Sequence, residues 1–338
     1  MKILFIGGTG TISMAISKLL LSEGNTLYLI NRGSRNNALS GNVVELTVDI
    51  NDESAVSRLI NDLQFDVVAD FIAFTPDQLE RDYRLFHNKT KQFIYISSAS
   101  AYQKPLSDYR INEGTPLANP YWEYSRNKIA GEDYLMNLYR SEGFPVTIVR
   151  PSHTYDERSI PVGVHGNNGS YSVIKRMLEG KPVIIHGDGT SLWTLTHNSD
   201  FAKGFAGLIG NVHAIGEAVQ ITSDESLTWN QIYQIIADAL GVKLNAVHVA
   251  SEFLDACSSY DFKGSLLGDK ANTVVFDNSK LKKLVPGFTA TVRADQGIRK
   301  AVDYVLTHPE CWREDPVFDN WCDRVCETLN KAANEIKA

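Results

Sequence analysis

The sequence predicts an α/β fold, a doubly wound parallel sheet followed by a smaller mixed unit. Two observations predict it. Six short apolar runs, KILFIG, TLYLIN, VVELTV, DVVADFIA, QFIYIS and VTIVRP, recur up to about residue 151 with helical stretches between them. The first run feeds directly into a glycine loop and then a helix, FIGGTGTIS. In that context such a loop binds a phosphate rather than merely turning the chain.

Taken in order, the opening run within MKILFIGG is too short for a secretory core or a membrane span and reads as a buried strand. In the loop, Gly7 suits the tight turn and Gly10 lets the backbone approach a pyrophosphate. The helix from about Thr11 aims its free N–H groups and positive dipole end at that phosphate. Ser13 stands where a third glycine is usual, which predicts slightly looser helix–strand packing. The pattern is Rossmann-type, and its expected ligand is a dinucleotide. The second strand ends in Asn31, Arg32, Gly33, Ser34 and Arg35. A carboxylate there binds the adenosine ribose and repels a 2′-phosphate, so its absence makes NADP compatible beside NAD. Arg32 and Arg35 either meet that phosphate or are solvated loop charges. Asp49, after the third strand, is placed to reach the adenine or to cap the next helix.

The stretch YWEYSRNKIAGEDYLMNLYRSEGF keeps a helical spacing, opens at Pro120 and closes on Gly143. Tyr124 and Lys128 share one face of it, one turn apart. A neighbouring ammonium favours a phenolate, so Tyr124 is expected to move the proton that accompanies hydride transfer at a carbinol. Ser98 ends the fifth strand, where open α/β sheets place ligands, and Ser97, Ser98 and Ser100 offer several hydroxyls to a reacting oxygen.

Residues 1–155 are expected to form the dinucleotide-binding domain, with 191–222 returning to it. Residues 156–190 and 223–338 form the substrate-binding unit, ending in an amphipathic helix that packs on the body or joins a partner. The formal charge of −7, dispersed along 338 residues, argues against a nucleic-acid surface. Cys257, Cys311, Cys322 and Cys326 form no CxxC pair, so neither disulfides nor zinc are expected, and the cytoplasm is the expected compartment. His153, His186 and His197 lack a carboxylate at ligand spacing, which leaves no metal site. Phe74 reads as core. Tyr102 and Trp193 either stack on a sugar or pack in the core, and Asp156 and Glu157 contact substrate or cap a segment.

The pieces GGTGTIS, DVVADFIA, YISSASAY, YSRNK, IVRPSHTY and GDGT followed by HNSDFA resemble the NAD-dependent epimerase/dehydratase branch of the extended short-chain dehydrogenases/reductases. The resemblance covers roughly residues 1–305. It implies Tyr124, Lys128 and Ser98 as the catalytic set. It implies cofactor contacts from Gly7, Thr9, Gly10, Thr11, Ile12, Asn31, Arg32, Asp49, Ile50, Phe71, Ile72 and Ala73, together with Tyr124, Lys128, Pro151 and His153. Substrate contacts fall to Ser98, Ser100, Tyr155 and Trp193. A homodimer through helices that include the Tyr124 helix is also implied. Two positions depart from the pattern. Ala99 and Ser100 replace the acidic pair that performs elimination in the 4,6-dehydratases, and Trp193 stands where nucleotide-sugar enzymes carry a diphosphate-binding arginine, unless Arg158, Lys175 or Arg176 takes over. The wording NRG, DFIA and GDGTSLWTLTH is similar to an atypical subgroup that includes the chloroplast stem-loop-binding proteins. The expected activity is an NAD(P)-dependent epimerase-type oxidoreductase acting on a sugar or nucleotide-sugar carbinol. An NADPH-dependent reductase is the first alternative, and a cofactor-sensing or RNA-binding protein the second.

Overall fold

Seven strands form one parallel sheet in this computed structural model, which describes residues 1–33 and 39–337. They are β1 (Lys2–Ile6), β2 (Thr26–Asn31), β3 (Val43–Thr47), β4 (Val67–Asp70), β5 (Phe93–Ile96), β6 (Val146–Pro151) and β7 (Ala218–Ile221). Their order across the sheet is β7-β6-β5-β4-β1-β2-β3. The order reverses between β1 and β4, where Ile3 pairs with Leu27 on one side and Val67 on the other. A crevice opens at such a point beyond the carboxyl ends of the strands.

The strands read as continuous apolar runs because both faces of the sheet are covered. The helices that position the site are α1 (Thr11–Ser22), α2 (Glu53–Leu59), α3 (Pro76–Phe86), α4 (Glu123–Glu142), α5 (Tyr171–Leu178), α6 (Asn198–Leu208) and α7 (Trp229–Leu240). Ile3 and Phe5 pack with Ile16 and Leu20 of α1 and Phe201 and Phe205 of α6. Leu4 and Ile6 turn to the other face, with Leu79 and Phe86 of α3 and Leu135 of α4. Each fully buried Leu, Ile or Phe of this kind contributes about 1.5–3 kcal/mol by leaving water. α4 begins at Glu123 rather than Pro120 because the Asn119 carboxamide accepts the N–H groups of Tyr121 and Trp122 and holds that segment as a turn. Gly143, at φ +71°, ends the helix in the left-handed region.

A second core gathers Ile185, Trp193, Trp229, Ile232, Ile298 and Trp321. Here Val183–His186 pairs in parallel with Ala246–Val249, and Leu192–Trp193 pairs antiparallel with Leu227–Thr228. The chain rejoins the large sheet as α6 and β7. The C-terminal helix Pro316–Lys337 packs on the body through Phe318, Trp321, Cys322, Val325 and Cys326, a spacing of three and four residues that makes one face. Arg176 of α5 ties it down by donating to Asp319 and Asp323. All four cysteines are free. Among the described residues no helix is long and apolar enough to cross a membrane, and no His, Cys, Asp and Glu group could hold a metal ion.

Candidate active site

The crevice at the β1–β4 boundary is a cleft of about 510 Å³ whose walls include Gly7, Thr9, Gly10, Asn31, Arg32 and Ile72. Gly7 has φ +82°, and a Cβ on it would stand 2.5 Å from Ile72 Cγ2, so both backbone and space require glycine. Ser13 does not loosen this loop. Its buried hydroxyl accepts from the Gly10 N–H and donates to the Gly7 carbonyl, each at 2.8 Å. With the Gly10 amide engaged, the free amides at the start of α1, from Thr11 and Ile12 on, remain for an anion. The Ile12 side chain itself packs into the core.

At the end of β2 the Asn31 Oδ1 accepts the Gly33 N–H at 2.9 Å, while its Nδ2 is buried without a partner among the described residues. That orphaned donor fits an acceptor such as a ribose oxygen. Arg35 lies outside the described residues. Asp49 is not a helix cap, since Asp52 fills that place by accepting from the Ala55 N–H at 3.0 Å. Asp49 and Ile50 instead stay on the cleft wall, joined by Val48, Asn51, Phe74 and Gln78, which the sequence reading did not assign to the cofactor.

Lys128 is buried between the cleft and the sheet. Its ammonium donates to the carbonyls of Ala73 and Ile96, both at 2.7 Å, and lies 4.8 Å from the Phe74 ring and 5.7 Å from the Tyr124 ring. Burial pushes its pKa down to about 8, against the pull of Asp70 and Glu132. Two of its three N–H groups are used, which leaves one for a ligand hydroxyl. The phenol of Tyr124 is raised above its ordinary value by burial, opposed by the Ser98 hydroxyl. The expected lowering by Lys128 is not seen because that ammonium is turned to the two carbonyls.

Ser125 donates to Ser100 Oγ at 2.7 Å, Ser100 Oγ lies 2.8 Å from Ser98 Oγ, and Ser98 also accepts the Ser100 N–H at 3.1 Å. This row can deliver donors toward Ser98, whose own hydroxyl lies against the Tyr124 phenol at the pocket. Ser97 faces away, bonded to Glu132 in a buried pair with Arg150.

Ser98, Ser100 and Tyr124 open into a second pocket of about 330 Å³, with Lys104, Pro151, His153, Trp193, Asp269 and Lys270 in its walls. The Trp193 indole donates to His153 Nδ1 at 3.0 Å. An indole only donates, so the neutral imidazole carries its proton on Nε2. Burial pushes His153 down to about 3, with the Lys270 charge adding to the effect. Burial also lowers Lys104 and Lys270 and raises Asp269 to about 6. Lys104, Asp269 and Lys270 carried no local signal in the sequence.

Several expectations are corrected. Tyr155 is 3% exposed and its hydroxyl fills the space beside Gly297, where a Cβ would come within 2.0 Å, so it is a core residue rather than a pocket wall. Phe71 packs edge-on to Phe5 at 4.9 Å and belongs to the core. Phe74 is the reverse case, 47% exposed in the cofactor cleft rather than buried. Tyr102 is buried, donating to Gln220 beneath Arg150. Trp193 reaches the pocket wall but is 3% exposed and stacked on Trp229 at 5.6 Å, which leaves no open face for a sugar. Lys175 pairs with Glu314, and Arg176 with the C-terminal helix, so neither replaces a diphosphate-binding arginine. Arg158, clamped by Asp156, reaches Thr11 Oγ1 at 3.4 Å and borders the phosphate loop instead. His186 bonds the Lys270 carbonyl, and His197 the Ser199 hydroxyl.

The sequence model of the NAD dependent epimerase/dehydratase family matches residues 3–222. A UDP-glucose epimerase of Bacillus subtilis, named as uncharacterized, is 28% identical over 63% of this chain, which spans 60% of that relative's length. The 2′-dehydrokanamycin reductase of Streptomyces kanamyceticus is 23% identical over 85% of this chain and 80% of its own. The chloroplast stem-loop binding protein of 41 kDa b from Arabidopsis thaliana is 27% identical over 71% of this chain and 63% of its own. Among solved structures, an epimerase of Methanothermobacter thermautotrophicus superposes with a TM-score of 0.73 at 17% identity, covering 92% of this chain and 94% of that one. The UDP-glucose 4-epimerase of Thermus thermophilus, solved with NAD, gives 0.67 at 20% identity, covering 90% and 98%.

Proposed function

The chain belongs to the NAD-dependent epimerase/dehydratase family, and from that premise we propose that it is an epimerase-type oxidoreductase acting on a sugar carbinol. The observation that carries the reading is that Tyr124 and Ser98 line the second pocket while the buried Lys128 ammonium lies 5.7 Å from the Tyr124 ring and 4.8 Å from the ring of Phe74, which lines the dinucleotide cleft. NAD, when bound in that cleft, would supply the hydride acceptor and, for the return, the donor. Gly7, Asn31 and Asp49 line its nucleotide end, and the third N–H of Lys128 serves a ribose hydroxyl. Ser98 orients the carbinol oxygen by donating to it. Tyr124, in its phenolate form, would take the hydroxyl proton of the carbinol, and the keto form would turn in the pocket. Tyr124 then returns the proton as hydride arrives on the other face.

Elimination of water lacks its acid and base. Ala99 is buried, and the Ser100 hydroxyl is engaged by Ser98 and Ser125. A second reading, an NADPH-dependent reductase, is favoured by one observation: Asn31 and Arg32 stand in the cleft wall where a carboxylate would refuse a 2′-phosphate. A Tyr124→Phe protein that kept full cellular function would instead favour a non-catalytic, RNA-binding or cofactor-sensing role.

The deciding experiment is to denature the purified protein and identify the released nucleotide by mass spectrometry. NAD at near one per chain supports retained-cofactor epimerisation. Empty protein that binds and oxidises added NADPH overturns it in favour of the reductase.

A further inference from the structure

The pocket beside Tyr124 holds more charge than proton and hydride transfer use. Lys104 lines it and is 3% exposed, yet its ammonium makes no hydrogen bond or ion pair among the described residues. Asp269 and Lys270 line the same pocket, and their charged ends are likewise without such partners among the described residues. Asp269 offsets one of the two ammonium charges at a distance, and the excess positive charge that faces the pocket is left to water or to a ligand of opposite charge.

The three charges sit on a built scaffold. Asp269 and Lys270 end a π-helix, Lys263–Lys270, a rare form that recurs at functional sites. Asn119 staples that helix to the catalytic side by donating to the Gly268 carbonyl at 2.7 Å and the Ser100 carbonyl at 2.8 Å. Gly264 lets it approach the start of α4, since a Cβ there would meet Trp122 Cδ1 at 2.2 Å. Two ammonium groups and one carboxylate leave a single positive charge. The imidazoles of His153 and His165, pushed by burial to about 3 and about 4, add none at neutral pH.

We propose that this pocket takes a sugar acid, a substrate whose reacting carbinol lies a few bonds from a carboxylate, with Lys104 and Lys270 holding the carboxylate and Asp269 accepting from a neighbouring hydroxyl. The proposal rests on the hydride-transfer reading above for which carbon reacts, but not for what binds. One carboxylate neutralises the pocket. A phosphate monoester, at a charge of roughly −1.5 to −2, overcompensates it.

The test is calorimetric titration of the full chain saturated with NAD, using glucuronate against glucose and UDP-glucuronate against UDP-glucose, with glucose 6-phosphate as a third arm. The acid of each pair is expected to bind roughly 10- to 100-fold tighter than its neutral partner. Lys104→Met and Lys270→Met each remove most of that preference, whereas Tyr124→Phe keeps it. Lys104→Met without ligand is expected to melt at a higher temperature than the parent, because a buried unpaired charge is gone; a purely structural lysine gives a lower one. Equal affinity for acid and neutral sugars, absence of sugar binding, or preference retained in Lys104→Met overturns the proposal, and tighter binding of the phosphate overturns its carboxylate assignment. Acid preference in a protein that neither reduces NAD nor isomerises sugars sinks the hydride reading alone. Turnover without acid preference sinks this one alone.

Discussion

On the β1–β4 side of Tyr124 the crevice is walled by glycine and aliphatic side chains together with Asn31, Arg32, Asp49, Asn51, Phe74 and Gln78, and Ser13 closes the loop onto itself. On the far side the wall carries Lys104, Asp269, Lys270 and two half-buried imidazoles, drawn from segments as far apart as residues 98–104 and 269–276. The first half recognises through shape and through donors kept for a ligand, the amides from Thr11 on and Asn31 Nδ2. The second holds charges that the fold alone leaves unsatisfied. The contrast separates a generic dinucleotide cradle from a selective pocket, and it is open to attack from either side.

The largest expected effect falls on neither half but on their junction. Tyr124→Phe is expected to lower turnover by about 10²–10⁴-fold while bound nucleotide, measured after denaturation, stays at the parental level. Nucleotide lost together with activity would show that the junction belongs to the cradle. Ser98→Ala should follow at about 10²-fold in kcat, read by steady-state kinetics, because it removes the donor facing the reacting oxygen. A change in KM alone would make Ser98 a binding group only. Gly7→Ala attacks the cradle, where a side chain meets both the positive φ and Ile72. It is expected to cost about 1–3 kcal/mol in nucleotide affinity, measured by titration, with sugar binding to the far pocket unchanged.

The smallest effect is a pH dependence confined to the charged half and the core beneath it. Burial holds His153, His165 and His186 at about 3, 4 and 4, below the ordinary 6.5. Between those values the unfolded chain binds protons that the fold refuses. Stability is therefore complete above pH 6.5 and is lost as pH falls, by about 1.4 kcal/mol per pH unit for each imidazole. Asp269, raised to about 6, works the opposite way, its contribution growing as pH falls through 6 toward 3.8. One group against three leaves the net slope downward toward acid. The melting temperature should fall from pH 6.5 to pH 4, and His153→Gln should flatten that slope; an unchanged slope would remove His153 from the account.

How far the sequence could be read follows the same divide. The phosphate loop and the Tyr124–Lys128 pair were legible because their meaning lies in contiguous spacing, and the six apolar runs announced the first six strands. Phe74 was misread because it continues an apolar run, and nothing local says that the chain leaves the sheet after Asp70, whose carboxylate accepts the Ile72 and Ala73 N–H groups and turns the backbone outward. Lys104 beside Pro105 looks like any surface lysine, and only the approach of a helix 165 residues later buries it against Asp269. Trp193 was matched to a missing arginine by spacing alone, whereas packing on Trp229 decides where its ring lies.

The indole of Trp193 has a consequence for the hydrogen bonds that the pocket offers. By claiming His153 Nδ1, it makes the imidazole a standing N–H donor on the pocket wall, and the ammonium groups of Lys104 and Lys270 present donors as well. Four of the groups around a bound sugar, with Ser98, thus point protons inward. A ligand meets these four with lone pairs, which favours carbonyls and carboxylates, and leaves Asp269 as the acceptor for a ligand donor in this wall. Sugars of the same outline would thus be sorted by where their acceptors and donors fall, acceptors toward Ser98, His153, Lys104 and Lys270 and a donor toward Asp269, rather than by size.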